Sequence, residues 1–326
     1  MTSRPGLLSI LLTLATRRRA LAWLGACSLL ATALSAADAT NPPVLVRDGP
    51  APAQSQVDLR ERILRMTEFF DTMLPGVLDK NNVTLHFTPK FSDMRDHEYI
   101  RYPLELRYGA GNGWEYYGGP TPFSPNPLNG GRDHRWGVGE IRVGARYDYG
   151  PSLGFFDDTT FGFETRVPVG KPPIDLNDHY THLRPFITAA RHLVSWPDVT
   201  FYSNLSYDRS VRLFSREAAP PEVTRRNIIE IAPGYLYKPN EYGYFIEYRF
   251  RHIAEDTDVY LGHEFRLGAL WDVPLWRTAR IGLPGKWQIE LAYRANHEEA
   301  RGTDHGLVAR VNWRTTLREV LNATRH

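Results

Sequence analysis

Five times between positions 105 and 266 a glutamate and an arginine flank a single residue: Glu105-Leu106-Arg107, Glu140-Ile141-Arg142, Glu164-Thr165-Arg166, Glu247-Tyr248-Arg249 and Glu264-Phe265-Arg266. Residues two apart on an extended chain share a side and lie roughly 6–7 Å from one another. Each motif therefore sets a carboxylate and a guanidinium on one face and turns the residue between them to the other. Arg146, Glu230, Arg251, Glu290, Arg294 and Arg310 fall on that same face. Guanidinium and carboxylate bond in a two-pronged way, and neighbouring strands are expected to pair them. Such a lattice stiffens a wall and partly fills an interior, or forms a selectivity constriction with fixed charges of both signs. On a soluble sheet it would be an ordinary solvated face.

Four Asp-His pairs offer other chemistry: Asp96-His97, Asp133-His134, Asp178-His179 and Asp304-His305. Carboxylate with imidazole suits zinc or manganese, and an aspartate can orient a histidine as a base. Both residue types are also common in polar loops, and no helical H-x-x-x-H or C-x-x-C spacing accompanies them. Ser203 and Ser206 with His192 or His86 are the loose candidates for a lipid hydrolase, without a G-x-S-x-G elbow. No phosphate-binding glycine loop appears. The expectation is no enzyme, no metal and no cofactor.

Charged residues at spacing two need strands to hold them, and from Val83 onward the hydrophobic period is two. Val83, Leu85, Phe87 and Phe91 alternate with Thr84, His86, Thr88 and Lys90. Ile100, Tyr102, Leu104, Leu106 and Tyr108 alternate with Arg101, Glu105 and Arg107. Further runs cover 113–119, 138–149, 159–169, 181–193, 199–208, 227–238, 242–252, 259–271, 286–295 and 306–314. The total of about twelve is even, and most runs approach the roughly 9–11 residues with which a tilted strand crosses a bilayer.

The connections between the runs alternate in length. Ser92–Glu98, Pro120–Gly137, Gly170–Tyr180, Arg209–Arg226, Ile253–Asp258 and Asn296–His305 are long and polar, while Gly109–Asn112, Gly150–Asp158, Val194–Asp198 and Pro239–Glu241 are turns. Long outer loops and tight periplasmic turns are the layout of an outer-membrane barrel. Asp272–Gly285 is an exception, too long for a turn. Period two does not say which face meets lipid, and a soluble sandwich with a buried aromatic core shows the same alternation. Closure favours lipid outside, since an apolar interior of twelve strands would leave a cavity these side chains cannot fill. Aromatics near strand ends, among them Tyr108, Trp114, Tyr147, Tyr235, Trp271, Trp287 and Trp313, fit interfacial girdles.

The composition agrees. The 326 residues include 17 Tyr, 15 Phe and 8 Trp, with 26 Gly and 24 Pro for turns. A net charge of +2 argues against a nucleic-acid partner. A mean hydropathy of -0.40 excludes a bundle of membrane-crossing helices but not a barrel. Arg17, Arg18 and Arg19, an apolar run from Ala20 to Leu30 and a cut after Ala37 read as a signal peptide over 1–37, with a single membrane anchor as the alternative. Leu24-Gly25-Ala26-Cys27 resembles a lipoprotein cleavage box, but Leu29 to Ala37 stays apolar where lipoproteins turn polar. Residues 38–56 read as a flexible linker, and 57–80 as an amphipathic helix carrying Leu59, Ile63, Met66, Phe70, Met73, Leu74 and Val77, broken at Pro75-Gly76.

The signal, the alternating strands and the aromatic-rich final strand with Leu307, Ala309, Val311 and Trp313 resemble the bacterial outer-membrane barrel class. Within it, residues 81–314 resemble the transporter-like barrels associated with aromatic-compound degradation, by layout and without a diagnostic motif. The resemblance implies an outer-membrane location, lipid contacts, and delivery by periplasmic chaperones and the barrel-assembly machinery. One departure is that residues 315–326 run on as a short periplasmic tail past the strand on which such barrels usually end. The expected function is a channel or transporter for small polar or amphiphilic solutes, with the helix as a plug or packed beneath the mouth. A non-conducting structural or adhesive barrel, or a lipid-modifying hydrolase, are the alternatives.

Overall fold

A computed structural model describes residues 68–69, 72–91, 98–128, 135–169, 178–213, 225–255, 258–280, 285–299 and 302–319. Two short strands, β1 (Glu68–Phe69) and β2 (Thr72–Met73), form a hairpin. The period-two segment then folds as β3 (Asn82–Phe87), β4 (Tyr99–Arg101), β5 (Leu104–Gly111), β6 (Trp114–Pro125), β7 (Gly137–Asp148), β8 (Asp158–Pro168), β9 (Thr181–His192), β10 (Val199–Val211), β11 (Arg226–Tyr237), β12 (Tyr242–Glu255), β13 (Val259–Val273), β14 (Lys286–Glu298) and β15 (Gly302–Thr316). One short helix, α1 (Leu275–Arg280), joins β13 to β14. Among the described residues no helix is long and apolar enough to cross a membrane, a statement that does not bear on strands.

Each long strand pairs antiparallel with the next, and the last pairs with the first, Trp313 of β15 opposite Leu85 of β3. The result is a closed barrel of twelve strands, as the sequence leads one to expect. The thirteenth strand of the sheet, β4, continues β5 along the same neighbour, β6. Tyr102-Pro103 separates the two because proline has no N–H to offer the ladder.

The turns follow local chemistry. Asn112 and Gly113, both at positive φ, make the two-residue link between β5 and β6, the Asn-Gly signature of a hairpin turn. Residues 193–198 and 238–241 close two further hairpins at that rim, and α1 fills the longer connection there. At the opposite rim, residues 88–98, 126–136, 169–180 and 212–225 link the strands. Two connections expected to be long are three-residue links instead, 256–258 and 299–301. The strands run on there because polar residues keep pairing: Arg251 Nη1 lies 3.2 Å from Glu298 Oε1, and Arg294 Nη2 lies 2.7 Å from Asp304 Oδ2.

One face of the sheet is apolar and exposed. Leu106, Val143, Phe163, Leu205, Ile231, Ile246, Leu267 and Leu291 each leave 40–55% of their surface bare. Soluble proteins do not surround themselves with such a belt. At the short-turn rim cross-strand aromatics pack together on this face: Trp114 with Tyr147, tilted with ring centres 5.1 Å apart, and Tyr242 with Trp271 at 6.3 Å and Trp287 with Trp313 at 6.0 Å, both stacked. The alternate residues are mostly polar and buried, and they point inside.

The chain before β3 takes an unforeseen path. Residues 57–67 and 70–71 of the expected helix lie outside the described residues, but the described residues from 68 to 80 hold no helix; a hairpin leads into an extended strap, 74–80. Barrel side chains satisfy its backbone where helical hydrogen bonds would have done so. Arg146 Nη1 donates to Leu74 O (3.3 Å), Gly76 N to Thr160 Oγ1 (2.7 Å) and Leu78 N to Glu115 Oε2 (2.7 Å). At the other end, Thr316 and Glu319 exchange backbone-to-side-chain bonds as a capping box and start a helical turn after β15. Residues 320–326, the signal peptide, the linker and Cys27 lie outside the described residues.

Candidate functional site

The inward face holds two linked arcs of ion pairs. In the first, Arg107 Nε donates to Glu105 Oε1 (2.6 Å), and Arg107 Nη1 lies 3.4 Å from Glu115 Oε1. Arg146 grips Glu115 with Nε and Nη2 at 2.8 and 3.0 Å. Arg142 reaches Glu105 (3.5 Å) and Glu164 (3.8 Å), and Arg166 Nε donates to Glu164 Oε1 (2.7 Å). Glu164 stands opposite Arg184 in the β8–β9 register, where the second arc begins. Arg184 and Arg249 hold Glu230 at 3.0 and 3.3 Å, Arg249 and Arg266 flank Glu247, and Arg266 and Arg251 flank Glu264.

Pairing is thus partly within strands. In four of the five Glu-x-Arg motifs the arginine folds back onto its own glutamate. The spacing permits this because the long arginine stem curls back over the distance between alternate residues. In the fifth, Arg142 turns to glutamates of β5 and β8, and Glu140 accepts from Thr121 Oγ1 (3.3 Å). Of the remaining residues, Glu290 accepts from Asn312 Nδ2 (2.6 Å), Arg310 Nε donates to Thr88 Oγ1 (2.9 Å), and Arg294 pairs with Asp304.

Sequence reasoning missed Glu115, the fully buried centre of the first arc. It has Tyr117 rather than an arginine two residues on, so no motif marks it. Arg184 was missed as well, because both faces of 184–188 carry apolar residues and the alternation disappears. Inward aromatics cause that ambiguity. Phe186 lies across Gly162, where a Cβ would sit 2.1 Å from its ring, and Tyr117 lies across Gly144 in the same way. Only glycine allows so close an approach.

The inside changes character along its length. Toward the short-turn rim, Leu74 of the strap clusters with Ala190, Tyr202, Leu236, Phe245, Leu270 and neighbours. The cluster draws on β9 to β15, whereas the strap's backbone bonds go to β6, β7 and β8. The strap therefore crosses the interior. Toward the long-connection rim lies a cavity of about 250 Å³, walled by charged side chains from β4, β7 to β12 and β14.

The histidine candidates separate. Asp178 leaves His179 and binds His182 Nε2 (3.0 Å), whose Nδ1 meets Asp208 Oδ1 at 2.7 Å. His305 Nδ1 lies 2.6 Å from the Tyr293 hydroxyl on the outer face. Asp96-His97 and Asp133-His134 lie outside the described residues. Among the described residues no group of three His, Cys, Asp or Glu side chains is arranged to hold a metal ion. Ser203 and Ser206 sit on opposite faces of β10. His192 pairs with Thr200 and bonds Asp158 (3.0 Å), roughly 20 Å along the strand from Ser206. His86 lies by Glu105, so no serine–histidine couple assembles from these candidates.

A closed twelve-stranded barrel with a lipid-like outer belt and a charged interior defines the outer-membrane β-barrel class. No protein-family model matches the chain, and no curated protein matches it by sequence. Among solved structures it is similar to the COG4313 outer membrane channel from Pseudomonas putida F1, at 10% identity and a TM-score of 0.52, over 77% of this chain and 100% of that one. It also aligns with the NanC porin (12% identity, TM-score 0.40, 72% and 98% of the chains) and the KdgM porin (12%, 0.40, 71% and 98%). The first of these likenesses shows the fold, that of an outer-membrane channel, in agreement with the barrel expected from the sequence.

Proposed function

We propose that the protein is an outer-membrane channel or transporter that passes small polar solutes through a narrow interior lined by the Glu-x-Arg residues. The observation that carries this reading is the pairing of an exposed apolar belt with an inward charged cavity that no core side chain fills. A barrel serving only as a wall has no use for such a cavity. Glu105, Arg107, Glu140, Arg142, Arg146, Glu164, Arg166, Glu230, Glu247, Arg249, Arg251, Glu264, Arg266, Glu290, Arg294 and Arg310 then line or brace the solute path. Arg107, Arg146 and Glu115 are fully buried and brace, whereas Arg142, Arg166, Arg249, Arg251 and Arg294 reach the cavity.

The strap favours a gated path over an open pore, because it bridges the interior beneath the cavity. On this reading the short-turn rim faces the periplasm, the stacked aromatics sit in the inner-leaflet interface, and the strap closes the periplasmic end. The same strap supports the second reading, a barrel that never conducts. Proteoliposome swelling separates the two. Swelling in isosmotic small sugars or amino acids supports passage; rigidity in every such solute, with or without the strap, leaves the non-conducting barrel.

A further inference from the structure

The cavity at the long-connection rim has a charge imbalance that the ion-pair arcs do not have as a whole. Eight lysine and arginine side chains wall it, against three carboxylates. The three are already engaged: Glu230 by Arg184 and Arg249, Asp208 by His182, and Glu140 by Thr121. Arg142, Arg166 and Arg251 pair with Glu105, Glu164, Glu264 and Glu298, none of which lines the cavity. Glu164 is fully buried and receives Arg166 through Nε, which leaves the Nη edge of that guanidinium directed onward. The buried Nε atoms of Arg251 and Arg294 have no hydrogen-bond partner within the protein. Long arginine stems thus carry positive charge into the open space while the short acids stay behind.

We infer that this cavity is a binding vestibule for small organic anions bearing two or three carboxylate groups. The inference deepens the channel reading and rests on it for the idea that solute enters from the long-connection side. Guanidinium forks match planar carboxylates in two-pronged pairs. A low-dielectric wall of one charge sign concentrates counter-ions. The volume equals about eight waters, room for a short-chain polyacid but not for an oligosaccharide. Below it, the apolar cluster around Leu74, Tyr202 and Phe245 offers a charged solute nothing, so the anion rests above the strap.

Tricarballylate is a suitable probe, with xylitol as an uncharged solute of similar size. Calorimetric titration into the folded full-length protein at low ionic strength is expected to show saturable tricarballylate binding and none for xylitol. Binding should weaken at least tenfold in 0.5 M KCl and at least tenfold in Lys90→Gln/Arg101→Gln/Arg294→Gln, whose folding is checked by heat-modifiable migration. Should that variant fail to fold, the salt and xylitol arms decide. Absent tricarballylate binding, or equal binding of xylitol, overturns the inference. Bilayer recordings separate it from the channel reading. Binding without current removes the channel and keeps the anion site. Current without tricarballylate binding removes the anion site and keeps the channel.

Discussion

Leu78 donates its backbone N–H to Glu115 Oε2 at 2.7 Å, and the same carboxylate is gripped by Arg146 at 2.8 and 3.0 Å. One buried acid thus ties the strap to the wall and the wall to itself. Because Arg146 also donates to Leu74 O, this pair fixes the strap at two points four residues apart.

Removing Arg146 alone leaves Glu115 buried with too little positive charge. Arg146→Met is expected to cost about 3–5 kcal/mol, read as a lower midpoint for loss of the fast-migrating folded form in urea. The double change Arg146→Met/Glu115→Leu recovers most of that loss. Equal midpoints for the single and double variants would mean that the pair is not coupled.

The inward aromatics set a second test. A side chain at Gly162 meets the Phe186 ring at 2.1 Å. Gly162→Val should therefore destabilise the barrel by at least about 1–3 kcal/mol through overpacking. Adding Phe186→Ala opens the space and returns part of the stability. A Gly162→Val barrel as stable as the parent would refute the packing described.

Much of this architecture can be read from the residues, and the exceptions have physical causes. The strand layout and the shared face of each Glu-x-Arg pair follow from period two, with a lapse over 184–188. The strap does not. Leu59 to Val77 has helical spacing, yet Thr160, Glu115 and Arg146 supply the hydrogen bonds that keep 74–80 extended, and they lie 37 to 84 positions away. The run-on of β12 to β15 was hidden because Glu298 and Asp304 read as polar loop until Arg251 and Arg294 are seen to pair with them. Adjacency in sequence marks Asp178 with His179, and the bond from Asp178 to His182 carries no such mark.

The aromatic girdle predicts orientation. Trp287 and Trp313 stack at the short-turn rim on the lipid-facing side. With the other tryptophans replaced by phenylalanine, their fluorescence should be quenched more by lipids brominated near the headgroup than by lipids brominated at the chain ends. Stronger quenching from the chain ends would place that rim in the wrong part of the bilayer.

Glu319 is held below the usual carboxylate range by bonds from Thr315 Oγ1 and the Thr316 backbone. A lowered value in the folded state means the cap is complete at neutral pH and is lost as pH falls through that value. The helical turn after β15 should fray as pH falls below the ordinary carboxylate range, seen as rising mobility of a spin label at Arg318. Glu319→Gln should blunt that response; an unchanged acid transition in the variant would assign it to another group.

The central claim, a channel whose inner end is closed by the strap, is tested most directly by single-channel conductance of the full-length protein and of Leu74→Ala/Thr160→Val. These changes remove the apolar anchor and one polar anchor of the strap without touching the charged cavity. The account predicts small or rare openings in the parent and a several-fold rise in open probability or conductance in the variant. Silence in both, or identical currents in both, would contradict it.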